Sequence, residues 1–167
     1  MKICDRIPAI KACSFTDRLH AFAATGGGMG FCPLAPGTTG SIGGLAVAWM
    51  ISCMPSLSVA PILGVLTVLA VLAAEKTATI VNQKDPGFIV IDEIAGICFA
   101  LAWIPFSPFN ILVQFLLFRL LDIFKPFPVG WMEKNLPGGW GIVMDDVVAG
   151  IIANLIWRAG SLVYQTW

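Results

Sequence analysis

Long apolar stretches separated by short charged blocks define the pattern of this chain. No Asp, Glu, Lys or Arg occurs at residues 19–74 or at residues 94–118. The charged side chains are grouped at residues 1–18, 75–93 and 119–146, and Arg158 stands alone in the last apolar stretch. Apolar runs of helical length between charged blocks are typical of polytopic membrane proteins. The pattern therefore predicts an all-α fold, a polytopic membrane helical bundle with interfacial charged loops.

Prolines divide the first apolar stretch into a predicted helical hairpin. Residues 42–74 would form a single helix about 50 Å long, too long for a hydrocarbon layer of about 30 Å. We therefore expect Pro55 and Pro61 to break it. One arm would start near Gly40 to Ile42 and end near Cys53, and the other would run from about Leu57 to Lys76. Gly40 and Gly44 are spaced for close packing against another helix.

A second hairpin is predicted around Pro105 and Pro108, with arms at residues 88–104 and 109–121. This arrangement would bring the charged blocks 75–93 and 119–146 to one membrane face, whereas a single straight span would separate them. Residues 147–164 would form the last span.

Composition agrees with a membrane protein and excludes several other classes. Hydrophobic residues make up 57% of the 167-residue chain and charged residues 12%, with a mean hydropathy of +0.85. The ten basic and ten acidic side chains cancel, so nucleic acid is not an expected partner. The five scattered cysteines indicate neither a disulfide framework nor a zinc site.

Basic residues are concentrated in the blocks that the hairpins place on one side. Residues 1–18, 75–93 and 119–146 hold all the Lys and Arg except Arg158. By the positive-inside rule this side is the cytoplasm, so residues 1–18 would be an N-terminal cytoplasmic segment. We expect no cleavable signal peptide there and a single domain over residues 1–167.

Eight of the ten carboxylates fall in the two later charged blocks. Six of them are candidate metal ligands or catalytic groups: Asp85, Asp92, Glu93, Asp122, Asp145 and Asp146. Such a set of hard oxygen ligands suits Mg²⁺. Glu75 and Glu133, each beside a lysine, are better explained as solvated interface charges.

Arg119, Asp122 and Lys125 are spaced three residues apart just before Pro126, so they could line one face of a helix that the proline ends. Such a face could bind metal and phosphate together. The alternative is a helix-end ladder of salt bridges.

Asp92–Glu93 and Asp145–Asp146 are predicted to lie at the starts of apolar helices. Adjacent helical residues differ by about 100° in direction, so Asp92 and Glu93 need not serve one ligand. Carboxylates at a helix N-terminus can also simply complement its dipole. The glycine-rich residues 24–41 precede a helix and could present Thr38, Ser41 and backbone N–H groups to a phosphate, although no nucleotide-binding motif is present.

Four ordered motifs resemble the phosphatidylglycerophosphatase A family. They are PGTTGS at residues 36–41, DPGFIVIDEIAG at 85–96, FRLLDIFKPFP at 118–128 and GGWGIVMDDVVAG at 138–150. The similarity extends over nearly all of residues 20–158. Thr39 and Leu121 stand where an aromatic residue and Phe are frequent in the family, and neither difference removes a charged group.

The resemblance implies a Mg²⁺-dependent hydrolase of the bacterial inner membrane that acts on the phosphate monoester of a glycerophospholipid at the cytoplasmic face. On this hypothesis the six carboxylates include the Mg²⁺ ligands and a base that orients water. Arg119 and Lys125 would hold the phosphate, with donors from Thr38 and Ser41. Direct attack by water and an aspartyl-phosphate intermediate both remain open. The competing hypothesis is a non-enzymatic membrane cation carrier with carboxylate ligands.

Overall fold

The computed structural model describes residues 14–165, and side chains through residue 162. Most of the predicted N-terminal segment 1–18 therefore lies outside the described residues. The described part is helical and contains no strand. Its α-helices are α1 (Phe15–Ala24), α2 (Pro36–Ser52), α3 (Ser56–Val81), α4 (Ile91–Leu101), α5 (Pro108–Phe124), α6 (Val129–Asn135) and α7 (Gly138–Gln165), with a short 3-10 helix at Gly26–Phe31. The predicted all-α fold is confirmed.

Local sequence signals account for several helix ends. Ser14 begins α1 with a capping box, in which its hydroxyl accepts from the Asp17 amide and the Asp17 carboxylate accepts from the Ser14 amide. Ser107 caps α5 just before Pro108, a residue that suits the first helical turn. Asn82 ends α3 and Lys125 ends α5, both in the left-handed conformation. The helix break between Leu101 and Pro108 separates α4 from α5 and corresponds to the turn of the predicted second hairpin.

Two predicted boundaries are wrong. Pro61 does not break the helix in which it lies, because α3 is continuous from Ser56 to Val81. The last helix begins at Gly138 rather than at residue 147, so the glycine-rich residues 138–141 are helical.

Small residues allow the central helix α4 to pack closely against α2 and α7. A Cβ atom on Gly44 would collide with Ile97, and one on Gly40 would lie 2.7 Å from the Cβ of Val90. On the other side, a Cβ on Gly150 would collide with the carbonyl oxygen of Gly96. The predicted packing role of Gly40 and Gly44 is thus observed, and α4 is held in the middle of the bundle.

Two of the described helices are long and apolar enough to cross a membrane. They are Ser56–Val81 and Gly138–Leu162, with mean hydropathies of 2.4 and 1.5. Large apolar side chains are exposed along the outer faces of α3, α5 and α7, including Leu69, Leu116 and Leu155. Exposed apolar faces of this kind indicate contact with lipid. Of the shorter helices, α4 packs against both of these long helices, α5 packs against α7, and α2 packs mainly against α4.

Candidate active site

Three carboxylates meet inside one end of the bundle and are called here the acidic triad. Asp92 and Glu93 come from the first turn of α4, and Asp146 comes from α7. One oxygen of each lies within 4.8 Å of the others. Asp92 Oδ1 and Glu93 Oε2 are buried and have no hydrogen-bond partner. Carboxylate oxygens that are buried together without donors repel one another as anions and are stabilised by a bound cation or by protonation, and their oxygen donor set fits a hard metal ion.

Close contact between α4 and α7 brings the triad together. A Cβ on Gly96 would lie 2.8 Å from the main-chain oxygen of Asp146 and would also overlap the ring of Phe118. The absence of a side chain at Gly96 therefore lets α7 approach the first turns of α4. Both adjacent residues Asp92 and Glu93 reach the same cluster, although their directions on a helix do not require them to serve one ligand.

Arg119 and Asp122 lie beside the triad on the last turns of α5. Arg119 Nη1 donates to Asp122 Oδ2 at 2.6 Å, the i,i+3 contact that the sequence spacing predicts. Both side chains are largely buried. Asp122 interacts electrostatically with Glu93 and Asp146, which places it at the edge of the triad.

Lys125 does not continue the face formed by Arg119 and Asp122, so the predicted three-residue stripe is wrong. Its backbone is left-handed because α5 has already ended at Phe124. The Lys125 ammonium instead contacts Asp145 Oδ2 at 2.8 Å and Glu133 Oε1 at 3.2 Å. Desolvation opposes its charge, but these two ion pairs outweigh it and raise the pKa of Lys125. Lys125 thus joins α6 and α7 across the mouth of the site.

The N-terminus of α2 also reaches this end of the bundle. A Cβ on Gly37 would collide with Glu93 Oε1 and lie 3.1 and 3.2 Å from the two terminal nitrogens of Arg119. No side chain caps this first helical turn. Thr38 follows Gly37 in the same turn, whereas the buried hydroxyl of Ser41 donates to the Gly37 carbonyl at 2.9 Å. The main-chain N–H groups of the turn are therefore the available donors.

Asp85 lies outside the triad, in the exposed loop between α3 and α4. Desolvation of its carboxyl raises the pKa of Asp85 above the ordinary value, against the attraction of Lys125. The nearby charges of Glu133 and Asp122 act in the same direction as desolvation. Asp85 therefore faces the mouth of the site, near Lys125, without being part of the triad.

Asp145 and Asp146 lie two turns inside α7, so the prediction that they lie at the start of the last helix is wrong. Their charges therefore cannot be explained as complementing the dipole at a helix N-terminus. They also diverge in role. Asp146 belongs to the triad, whereas Asp145 pairs with Lys125 and leaves its buried Oδ1 without a partner.

Three residues near the site were not among the sequence candidates. Gly37 belongs to the glycine-rich residues 24–41, but no local pattern reveals that its lack of a side chain makes room for Glu93 and Arg119. Glu133, interpreted from the sequence as a solvated charge, is part-exposed but pairs with Lys125. Glu75, interpreted in the same way, accepts a hydrogen bond from the Gly139 amide and so fixes the start of α7.

The sequence profile of phosphatidylglycerophosphatase A matches residues 22–161 of the chain. A protein of that name from Escherichia coli is 35% identical over 133 residues, 78% of this chain and 76% of the relative. Another from Haemophilus influenzae is 35% identical and covers 88% of this chain and 91% of the relative. A Bacteroides thetaiotaomicron protein described as a putative phosphatidylinositol-3-phosphatase is 34% identical, over 83% of this chain and 91% of its own length. No solved structure matches significantly.

Proposed function

The chain is an enzyme of the phosphatidylglycerophosphatase A family, and we propose that it hydrolyses the terminal phosphate monoester of phosphatidylglycerophosphate to phosphatidylglycerol and inorganic phosphate. One observation carries this proposal. Buried carboxylates, an arginine and an uncapped helix N-terminus meet at one end of an apolar bundle. That combination suits a doubly charged phosphate carried by a membrane lipid.

The acidic triad is the proposed Mg²⁺ site, with Asp92, Glu93 and Asp146 as ligands. The fit rests on the close approach of their oxygens and on the partnerless buried atoms of Asp92 and Glu93. Asp122 borders the triad and is a further candidate ligand. When bound, Mg²⁺ would supply neutralisation of charge on the phosphate oxygens and on the leaving oxygen.

Arg119 and Lys125 are the proposed cations for the phosphate. Both are paired with carboxylates, Arg119 with Asp122 and Lys125 with Asp145 and Glu133. An incoming phosphate would therefore share or replace these carboxylate partners. Arg119 lies beside the triad and offers the fork geometry that suits phosphate oxygens, so we assign it the main contact.

The first turn of α2 is proposed to complete the phosphate site. The amides of Gly37 and Thr38 face no capping side chain, and the Arg119 guanidinium lies against Gly37. A phosphate oxygen there would gain both the helix N-terminus and the arginine. The Thr38 hydroxyl remains a candidate donor, and a role for Ser41 would require it to release the Gly37 carbonyl.

Asp85 and Asp145 are the candidates for orienting the attacking water. Water adds to phosphorus, the bond from phosphorus to the glycerol oxygen breaks, and that oxygen leaves with a proton. The carboxylate that accepts the proton of the attacking water would need to lie near the mouth of the site. Asp85 and Asp145 both lie near Lys125, which is at this mouth. An aspartyl-phosphate intermediate on one carboxylate is the alternative chemistry.

We place the site at the cytoplasmic face of a bacterial inner membrane, within one multi-pass domain that spans the chain. The ends of α3 and α5 that carry Glu75 and Arg119 lie at the same end as the triad. Lys84 and Lys134 belong to loops or short helices of this end. This excess of basic residues supports a cytoplasmic orientation.

Phosphate release by the purified protein in mixed micelles, with identification of the lipid product, tests the proposal. Asp92→Asn and Asp146→Asn are expected to lose most activity, because each removes one charge from the triad. Asp17→Asn is the matched control, since Asp17 pairs with Lys76 away from the triad. Near-normal turnover in both triad variants would refute the site assignment.

Two alternatives are separated by the same assay. Because the Bacteroides relative is described as a putative phosphatidylinositol-3-phosphatase, a phosphoinositide 3-phosphate is the second candidate substrate. The assay therefore offers this lipid in competition with phosphatidylglycerophosphate. A cation carrier would release no phosphate from either lipid. The grouping of carboxylates with Arg119 and Lys125 at one end favours phosphate chemistry over a path of cation sites through the bilayer.

A further inference from the structure

Arg158 is an isolated charge at the end of the bundle opposite the acidic triad. It lies on α7 about 18 Å along the helix from Asp146. No other charged side chain occurs after Asp146, and none occurs at residues 19–74 or 94–118, which include the other helix ends around Arg158. An unneutralised cation in such apolar surroundings calls for an anionic partner.

The arginine is held in place but not neutralised. Arg158 Nε donates to Asn154 Oδ1 at 2.7 Å, and Nη2 donates to the carbonyl oxygens of Ala102 at 3.1 Å and Trp103 at 3.4 Å. Asn154 Nδ2 donates to the Ala100 and Ala102 carbonyls in turn. These bonds cap the C-terminus of α4. Within the described side chains Arg158 makes no ion pair, and its Nη1 makes no hydrogen bond.

A cleft of 440 Å³ opens beside this side chain, between the end of α4 and the outer face of α7. Phe99, Ile151 and Leu155 give it apolar walls, and Arg158 and Trp103 lie at one end. Leu155 is 58% exposed and Trp103 is 51% exposed. The cleft thus joins an apolar wall to a single cation, the arrangement that matches an acyl chain joined to an anionic headgroup.

The cleft lies beside the start of α3, at the level that a membrane surface would have if the end of α3 at Glu75 lies at the opposite surface. Trp103 Nε1 donates to the carbonyl oxygen of Ser56, the first residue of α3, at 3.1 Å. From Ser56 to Glu75, which contacts the start of α7, α3 rises about 28 Å, close to the thickness of a hydrocarbon layer. Trp and Arg side chains are typical of this interface.

We propose that Arg158 and this cleft bind an anionic phospholipid of the leaflet opposite the active site. The phosphodiester would accept from Arg158 Nη1, and one acyl chain would lie along Leu155 and Ile151. The site recognises charge on a phosphodiester headgroup and is separate from the triad, so it does not depend on the substrate proposed above.

Native mass spectrometry of the detergent-purified chain tests this site, with phosphatidylserine and phosphatidylcholine of equal acyl length as probes in EDTA. We expect a preference for phosphatidylserine that falls about fivefold or more in Arg158→Gln. Arg158→Lys should keep part of the preference, because it keeps the charge. Arg119→Gln should keep all of it, because Arg119 lies at the other end.

A second pair of variants keeps the Arg158 cap of α4 intact. Leu155→Trp fills the cleft and should weaken retention of phosphatidylserine, whereas Leu112→Trp, at a leucine of similar exposure on α5 outside the cleft, should not. Equal binding of phosphatidylserine by wild type, Leu155→Trp and Arg158→Gln would overturn the proposal. Loss of the preference in Arg119→Gln instead would also overturn it, by assigning the lipid to the active-site end.

Discussion

Gly37→Ala is the sharpest test of the proposed phosphate site, because it adds one methyl group at the meeting point of three elements. The new Cβ would collide with Glu93 Oε1 and approach both terminal nitrogens of Arg119, at 3.1 and 3.2 Å. Gly37 is in the first turn of α2 and its φ is not positive, so alanine fits the backbone. The perturbation is therefore confined to the site.

The structure predicts a large effect on rate and a small one on stability. Relief of the collision requires the Glu93 carboxylate or the α2 terminus to move by about 1 Å, a displacement that can cost about 100-fold in rate. Alanine in place of glycine favours a helix by up to about 1 kcal/mol, which opposes destabilisation by the collision. We expect kcat to fall about 100-fold while the thermal unfolding temperature changes little.

The assay is phosphate release from phosphatidylglycerophosphate, with Gly64→Ala as the control. A Cβ on Gly64 meets no atom within 4 Å, so this helical substitution should leave kcat unchanged. Glu93→Asp withdraws the carboxylate from Gly37, so the double variant should lose less activity than the product of the two single losses. Wild-type kcat in Gly37→Ala would refute a phosphate site at the start of α2.

Three further outcomes follow from the same geometry. EDTA should abolish activity and Mg²⁺ should restore it, and full activity in excess EDTA would remove the metal from the mechanism. Mg²⁺ should also raise the thermal unfolding temperature of the wild-type protein but not that of Asp146→Asn. Lys125→Met should lower the free energy of unfolding by about 2 kcal/mol or more, because it leaves Asp145 buried and unpaired. Adding Asp145→Asn to this variant should recover part of the lost stability, as measured by thermal unfolding. Single cysteines at Lys84 and Asn135 in a cysteine-free background should be labelled from the same membrane face, and opposite labelling would refute the common orientation of the two loops.

The second hairpin and the Arg119–Asp122 pair could be predicted because their causes are local. Pro105 lies in the break between α4 and α5, and Pro108 occupies the first turn of α5, a position that suits proline. The i,i+3 spacing places an arginine beside an aspartate once the helix forms. Once α4 and α5 are antiparallel, their charged ends must share one end of the bundle. The convergence of the carboxylates with Arg119 therefore follows from local signals and one topological choice.

The errors arise where distant contacts decide the local structure. Pro61 is tolerated in α3 because the acceptor it leaves free, the Leu57 carbonyl, lies in the exposed first turn of the helix. The glycine-rich start of α7 is helical because Glu75, from α3, accepts from the Gly139 amide. Neither the exposure of Leu57 nor the position of Glu75 can be derived from the neighbouring residues alone.

The separation of Lys125 from Arg119 has a similar cause. Helical spacing places both on one face, but α5 ends one residue before Lys125, which turns toward Asp145. The sequence pattern therefore selects the correct two cationic residues but places both of them on one face of α5. Their actual partners depend on how α7 and α6 pack against the end of α5.

The resting ion pairs explain how a cationic site can persist beside lipid without its substrate. Arg119 and Lys125 are each bound to a carboxylate, and removal of such charges from water without a partner would cost several kcal/mol. On the proposed reaction, a phosphate dianion takes the place of these carboxylates, and its charge is matched by the same cations together with Mg²⁺ at the triad. Asp145, freed from Lys125, would then be a carboxylate near the mouth that is able to accept a proton from water.

A diester headgroup carries one charge less and would compete poorly with the internal carboxylates, so discrimination between monoester substrate and diester product follows from the ion pairs themselves. Equal inhibition by the diester phosphatidylglycerol and by the monoester phosphatidic acid, presented at equal surface concentration, would contradict this exchange of partners.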